Sequence, residues 1–170
     1  MGILEQTNRA NCTSIVVGVA DMQVSNRRDT LLVTHALGSC IAVLAYSPTL
    51  RVGGMLHYML PLASSSPDKA ALRPAMFADT GIPLLFDELF KLGCKRSDLV
   101  IKAVGGAAMY DDHGKFNIGK RNHTVLRKIF WKNNIMLAAE DVGGHKSRTV
   151  RMYIEDGHTV VSSMGKETIL

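Results

Sequence analysis

The chain is poor in cysteine and has no long hydrophobic run. Its 170 residues include three cysteines, an odd number with no CxxC pair. Such a count argues against a disulfide framework or a four-thiolate zinc site and is typical of a reducing compartment. No stretch approaches the ~20 apolar residues that cross a bilayer. The polar first residues, MGILEQTNRANCTS, lack the apolar core of a signal peptide. We therefore expect a cytoplasmic protein.

Several motifs that would indicate a cofactor are also missing. The six histidines show no HxH or HExxH spacing, which argues against a metal site. There is no P-loop, no GxSxG elbow and no dinucleotide fingerprint, because the glycine pairs lack the required spacing. We expect neither a metal nor an organic cofactor.

The overall composition is that of an ordinary globular protein. Hydrophobic residues make up 46% and charged residues 21% of the chain, and the net charge of +5 favours an acidic partner. The basic residues are scattered and do not alternate with aromatic residues in a stripe, so nucleic-acid binding is not favoured. A chain of this length is most simply one domain.

The hydrophobic pattern predicts a mixed α/β (α+β) domain. We expect a single mixed sheet or β-sandwich with helices on its outer face, occupying residues 14–162 between a flexible tail at 1–13 and a C-terminal tail at 163–170. Helices are predicted over 75–92 and 119–133, an exposed, mobile connection over 62–74, and a polar loop or strand continuation over 21–30. Strands are predicted over 15–20, 31–34, 40–46, 52–60, 98–104, 135–140, 149–154 and 159–162.

One predicted hairpin carries candidate chemistry. Two short apolar runs, residues 40–46 and 52–60, flank a Ser-Pro break. If residues 47–50 form the loop, Cys40 lies directly opposite His57, with Cβ atoms roughly 5 Å apart on one face. A thiol and an imidazole at that distance can share a proton, as a cysteine nucleophile requires. A slip of one residue would separate them, and a passive core thiol is the open alternative.

The residues just before the cysteine suit an oxyanion site. Gly38 permits a tight backbone path through Gly38-Ser39-Cys40, in which main-chain N–H groups converge near the sulfur. An oxyanion formed by attack of that sulfur would need donors there. Gly38 and Ser39 are therefore candidates for backbone support of the reaction.

Five segments of the chain resemble a known family. They are THALGSC, GGMLHYMLP, IKAVGGAAMY, FNIGKRN and AEDVGG, in that order. Together, LGSC-x16-H and FNIG-x-RN are similar to the motifs of the chemoreceptor glutamine deamidases of the CheD family, and the resemblance extends from about residue 15 to about residue 155. By position, Cys40 matches the family nucleophile, His57 the general base and Thr34 the third catalytic member.

The resemblance implies both a fold and a reaction. The fold would be a mixed β-sandwich with flanking helices, like that of toxin-type cysteine deamidases. The reaction would be hydrolysis of selected glutamine side chains on methyl-accepting chemotaxis receptors to glutamate and ammonia. Family members commonly bind the phosphatase CheC, which competes with receptors for them.

Other functions remain open at the level of sequence. The domain could act mainly as an adaptor for receptors and CheC, or it could be a cysteine protease or transglutaminase, which share acyl-enzyme chemistry. Phe116 and Asn117 are candidates for a substrate- or partner-binding rim around the site, although Phe116 could equally be a core residue.

Overall fold

The structure is a computed structural model and describes residues 11–108 and 117–170. Within these residues the chain forms two five-stranded sheets. The first sheet has the strand order β1-β3-β8-β9-β10 and the second the order β2-β5-β4-β6-β7. The strands are β1 (Thr13–Val16), β2 (Asp21–Ser25), β3 (Thr30–Leu37), β4 (Ile41–Ser47), β5 (Val52–Tyr58), β6 (Val100–Gly105), β7 (Ala139–Val142), β8 (Arg148–Tyr153), β9 (Thr159–Ser163) and β10 (Lys166–Ile169).

Both sheets are mixed. The pairs β1/β3 and β6/β7 are parallel, and the remaining pairs are antiparallel. In the described part of the chain, three helices accompany the strands: α1 (Pro67–Leu72), α2 (Ala78–Lys91) and α3 (Ile118–Lys132). Single 3-10 turns lie at Ala63–Ser65, Pro74–Met76 and Arg96–Asp98. The expected α+β class is confirmed.

The second sheet is the middle layer, because both of its faces pack against other elements. Side chains alternate along β4 and β5, so successive residues enter different cores. One core, between the second sheet and the helices, contains Ile41, Val43, Leu56, Tyr58, Ile82, Leu85, Leu126 and Phe130. The other core, between the two sheets, contains Leu32, Leu37, Ala42, Leu44, Met55, Val104, Val150 and Met152.

A β-bulge in β3 shapes the inner face of the first sheet. Thr34 pairs with Val150 and Leu37 with Arg148, so β3 carries one residue more than β8 over this stretch. Ala36 absorbs the extra residue with φ +54°. As a result Thr34 and Leu37 are both buried, whereas strict alternation would have placed them on opposite faces.

Three predicted segments differ from the structure. Of the two alternatives for residues 21–30, a strand is present over 21–25: it is β2, which lies at the edge of the second sheet and pairs there with β5, where polar side chains are tolerated. The connection over 62–74 is mostly exposed, as expected, and contains α1, one 3-10 turn and the first residue of a second. The strand expected over 135–140 begins only at Ala139, four residues later.

The segment expected to be a C-terminal tail contains β10. Met164 and Gly165 form a two-residue connection between β9 and β10, and both have positive φ. Two central residues with positive φ are the requirement of a type I′ hairpin turn. Met164-Gly165 is a weak signal for such a turn because methionine rarely adopts this conformation. At the other end of the chain, β1 begins at Thr13.

In the described ranges, no helix is both long enough and apolar enough to cross a membrane.

Candidate active site

The β4–β5 hairpin brings Cys40 and His57 to the same face of the second sheet. The strands pair with Ser47 opposite Val52, which places Ala42 opposite His57 and leaves Cys40 just before β4. The predicted direct pairing of Cys40 with His57 was therefore wrong by two residues. A slip of two preserves the face, and Cys40 packs against the core between the sheets.

The register differs from the prediction because the loop is displaced by one residue. The loop comprises residues 48–51, and Arg51 occupies its last position with φ +54°. The predicted loop of residues 47–50 had ended one residue before Arg51. A left-handed arginine carries no clear sequence signal, since glycine or asparagine is usual in that conformation.

Thr34 and His57 join the two sheets through a buried hydrogen bond. Thr34 lies on β3 of the first sheet, and its Oγ1 is 2.7 Å from Nδ1 of His57 on β5. Thr34 is 0% and His57 1% exposed. The two residues that the resemblance paired are thus in contact, although they are 23 residues apart and belong to different sheets.

A second hydrogen bond fixes the tautomer of the imidazole. Thr34 Oγ1 also lies 2.6 Å from the carbonyl oxygen of Val17, which can only accept. A threonine hydroxyl has a single proton to donate, so that proton goes to Val17. The same oxygen must then accept from His57, which places the ring proton on Nδ1. Nε2 is left with a free lone pair.

The free nitrogen of His57 is buried and available. Nε2 has no hydrogen-bond partner within residues 11–108 and 117–170. Burial lowers the pKa of His57 from its ordinary 6.5 to about 4. The ring is therefore neutral at pH 7, and its unprotonated nitrogen lies on the face that carries Cys40. A neutral imidazole with a bare Nε2 has the form that a general base requires.

The thiol of Cys40 is also neutral in the resting protein. Cys40 is half-buried, and burial raises the pKa of its thiol, while its own main-chain N–H, donating to the sulfur, lowers it by a smaller amount. The geometry therefore describes a neutral thiol and a neutral imidazole rather than a preformed ion pair. Proton transfer to His57 would accompany attack on a substrate.

The backbone around Cys40 is held by a glycine pair. The amide of Gly106 donates to the Cys40 carbonyl at 2.7 Å, and the amide of Ala107 donates to the Gly38 carbonyl at 2.8 Å. Gly105 has φ +119°, and a Cβ there would overlap the Cys40 carbonyl oxygen. The absence of a side chain at Gly105 thus allows the close approach of the two backbones.

Asn122 is a site-adjacent residue that the sequence analysis missed. It is 0% exposed, and its Nδ2 donates to the carbonyls of Ser39 at 2.9 Å and Met59 at 3.0 Å. It therefore joins the loop before Cys40 to the chain just after β5. The available signal was an asparagine on the buried stripe of α3, between Gly119 and Leu126.

Of the two proposed rim residues, the structure describes Asn117. Phe116 lies outside the described residues. Asn117 caps α3, since its side chain accepts from the Lys120 amide at 3.4 Å. It also lines a groove of about 320 Å³ with Pro61, Leu62, Lys120, Arg121, Thr124 and Val125. The groove runs between the end of β5 and the first two turns of α3.

No cluster of three or more metal-binding side chains occurs within residues 11–108 and 117–170. Two other histidines make contacts away from this site: His123 pairs with Glu140 at 3.2 Å, and His145 Nδ1 lies 2.9 Å from the carbonyl of Ala108.

Comparison with known proteins agrees with the motifs. The family model described as "CheD chemotactic sensory transduction" matches residues 59–163. A protein of Syntrophus aciditrophicus named "Probable chemoreceptor glutamine deamidase CheD 1" is 49% identical over 89% of this chain and 94% of its own length. The chain belongs to the CheD family.

Further relatives show that the match to CheD proteins covers most of the chain. "Probable chemoreceptor glutamine deamidase CheD 2" of Anaeromyxobacter dehalogenans is 48% identical over 88% of this chain and 94% of its own length. "Chemoreceptor glutamine deamidase CheD" of Thermotoga maritima is 39% identical over 88% of this chain and 92% of its own length. The family resemblance inferred from the motifs is confirmed.

Proposed function

We propose that this CheD family member hydrolyses glutamine side chains of methyl-accepting chemotaxis receptors to glutamate and ammonia. Cys40 is the nucleophile, His57 the general base and Thr34 the residue that orients the imidazole. The observation that carries the proposal is the buried Val17–Thr34–His57 chain of hydrogen bonds, which leaves Nε2 of His57 unprotonated on the face that carries Cys40. The names of the relatives supply the substrate class.

The acylation half of the reaction uses one proton transfer in each direction. The thiol proton moves to Nε2 of His57 as sulfur bonds to the carboxamide carbon, and the carbonyl π electrons move to oxygen. Collapse of this intermediate breaks the C–N bond. His57 returns the proton to the departing nitrogen, which leaves as ammonia, and a thioester remains on Cys40.

Deacylation repeats the sequence with water. The imidazole takes a proton from water as its oxygen bonds to the thioester carbon, and the C–S bond then breaks. The sulfur regains its proton from His57, and the product is glutamate. The net change is carboxamide plus water to carboxylic acid plus ammonia, and the mechanism calls on no metal or organic cofactor.

Thr34 orients the ring without carrying a charge. In serine-protease triads a carboxylate holds the imidazole and stabilises its charged form. Here the Thr34 hydroxyl accepts a hydrogen bond from Nδ1–H of His57. The imidazolium formed during reaction is therefore stabilised less than it would be by a carboxylate. Because burial already disfavours the charged ring, its proton should pass on quickly to the leaving nitrogen.

The groove beside α3 is the proposed contact for the receptor surface. Lys120 and Arg121 are exposed at its edge, next to Asn117. Cationic side chains there suit an acidic helical surface, and association should weaken as salt increases. We place the protein in the cytoplasm, with the phosphatase CheC competing with receptors for the same surface.

Mass spectrometry of a receptor fragment tests the proposal directly. Incubation with the wild-type protein should raise the mass at selected glutamines by about 1 Da and release an equal amount of ammonia, since NH₂ is replaced by OH. Cys40→Ala should abolish both, while Cys12→Ala should retain them. Cleavage of the fragment would indicate a protease, crosslinks a transglutaminase, and binding without mass change an adaptor.

A further inference from the structure

The three carbonyl groups around Cys40 are all held by hydrogen-bond donors. Ala107 N–H donates to Gly38, Asn122 Nδ2 to Ser39 and Gly106 N–H to Cys40, at 2.8, 2.9 and 2.7 Å respectively. Two of these donors are main-chain groups. Asn122 is the one side chain among the three.

Anchoring these carbonyls sets the direction of the amides that follow them. In a planar trans peptide, the C=O and the next residue's N–H point in opposite directions. The Gly38 carbonyl therefore orients the Ser39 amide, and the Ser39 carbonyl orients the Cys40 amide. Among the hydrogen bonds within residues 11–108 and 117–170, neither amide donates to another residue.

The Cys40 amide belongs to the same residue as the reacting sulfur, and its nitrogen is three bonds away from that sulfur. This N–H favours the thiolate and so lowers the pKa of the Cys40 thiol, by less than burial raises it. A carbon bonded to that sulfur would carry its oxygen within reach of the same N–H. Residues 38–40 are all half-buried, so a substrate carboxamide can approach them from solvent.

Stability alone is a poor reason for an asparagine at position 122. The side chain is fully buried, and its Oδ1 has no hydrogen-bond partner in the described part of the chain. An unsatisfied buried acceptor costs about 1–3 kcal/mol, which an apolar side chain of similar size would avoid. The two donated bonds are thus the property that distinguishes asparagine from leucine here.

We propose that Asn122 is a positioning residue for the oxyanion site, holding the Ser39–Cys40 peptide so that the Cys40 amide faces the developing oxyanion beside the Ser39 amide, which the Gly38 carbonyl orients. The inference rests on the proposed deamidation. In this role Asn122, on α3, contributes to transition-state stabilisation through the Ser39–Cys40 peptide and does not contact the substrate.

Asn122→Leu tests this role, with Tyr58→Phe as the matched control. Leucine keeps the branched shape and favours the helix but removes both donors. Tyr58→Phe removes another buried hydrogen bond at the same contact, from Tyr58 Oη to the Asn122 carbonyl at 3.0 Å, and leaves the Ser39 peptide untouched. We expect Asn122→Leu to lower kcat for deamidation about 10- to 100-fold with KM nearly unchanged, since one oxyanion donor is commonly worth 10²–10³. Tyr58→Phe should retain kcat.

Alkylation of Cys40 by iodoacetamide separates the oxyanion role from the alternatives. Displacement of iodide by the Cys40 sulfur forms no oxyanion. The alkylation rate of Asn122→Leu should therefore fall far less than its kcat. An alkylation rate that falls in parallel with kcat would overturn the proposal, because Asn122 would then act by setting the distance between thiol and imidazole through Met59. An unchanged kcat in the folded variant would also overturn it. If the wild type produces no mass change on receptors, the proposed function fails first.

A measurement on the wild-type protein covers the case in which the variant does not fold. The probe is a peptide aldehyde with CHO in place of the glutamine carboxamide. The Cys40 sulfur bonds to the aldehyde carbon and the thiol proton passes to the former carbonyl oxygen, which gives a hemithioacetal. The amide protons of Ser39 and Cys40 should move downfield in the NMR spectrum as they donate to that oxygen. Adduct formation that leaves both amides unshifted would contradict the proposal.

Discussion

His57 and Tyr58 are neighbours on β5 that point to opposite faces of the same sheet. His57 is 1% and Tyr58 0% exposed, so both polar side chains have lost water. Tyr58 donates to the main-chain carbonyl of Asn122, and its hydroxyl is satisfied. His57 is held at Nδ1 by Thr34, and its Nε2 is left without a partner in residues 11–108 and 117–170.

The difference shows how one strand serves both packing and chemistry. On the helix side of the sheet, the polar group is used up in holding α3 against β5. On the side between the sheets, one ring nitrogen is fixed and the other is kept free. A free buried nitrogen costs stability, and it is useful only where a proton must be accepted.

Replacing the two neighbours should separate these roles most strongly. We expect His57→Gln to lower kcat about 10²- to 10⁴-fold, the usual contribution of a general base. Tyr58→Phe should retain activity and lose only about 1 kcal/mol of unfolding free energy, the value of one buried hydrogen bond. Ammonia release and urea denaturation measure the two effects. A Tyr58→Phe variant as inactive as His57→Gln would erase the distinction between the faces.

Changes at Thr34 test whether the fixed nitrogen matters. Thr34→Val removes the acceptor for the Nδ1 proton without changing the side-chain shape, whereas Thr34→Ser retains the hydroxyl. A hydrogen bond to a ring that becomes charged is worth about 1.5–3 kcal/mol, so kcat should fall about 10- to 100-fold in the valine variant. The serine variant should keep most of the activity. Equal kcat values for the two variants would show that the hydroxyl does not orient the base.

The pH dependence of stability should single out His57 among the histidines. Its pKa is about 4 in the folded chain and near 6.5 when unfolded. Between these two pKa values His57 is protonated in the unfolded state and neutral in the folded state. The unfolding free energy therefore decreases as pH falls from about 6.5 to 4. The full loss is about 3 kcal/mol.

Urea denaturation at pH 7 and pH 4.5 measures this loss. His57→Gln should lack most of it, and replacement of the exposed His35 by glutamine should leave it unchanged. A wild-type protein and a His57→Gln variant that lose the same stability on acidification would show that the ring is not held neutral.

The sequence predicted the β4–β5 hairpin, which carries His57, better than it predicted the surroundings of that hairpin. Residues 41–47 and 52–58 are short apolar runs that suit a buried antiparallel pair, and α2 and α3 have clear helical spacing. The face shared by Cys40 and His57 followed from the period of two, which tolerates a register error of two. The pairing itself failed because Arg51 enters the loop in a left-handed conformation.

Other features had no local signal. The partner of Thr34 is the carbonyl of Val17, a main-chain group that no side-chain pattern encodes. Along β3, Thr34 keeps the inward alternation of Leu32, whereas the bulge at Ala36 turns Leu37 inward, against simple alternation. Asn122 was visible as the last residue of the FNIGKRN segment and as a polar residue on an apolar stripe, but neither signal names its two acceptors, which are more than 60 residues away along the chain.

NMR of the protein labelled with ¹⁵N at histidine tests the central claim most directly. We expect the His57 ring to be neutral at pH 7, with its proton on Nδ1 and an unprotonated Nε2. The His57 signals are assigned as those missing from the spectrum of His57→Gln. A His57 ring protonated on Nε2, or on both nitrogens, would contradict the account, because neither form can accept the proton of Cys40.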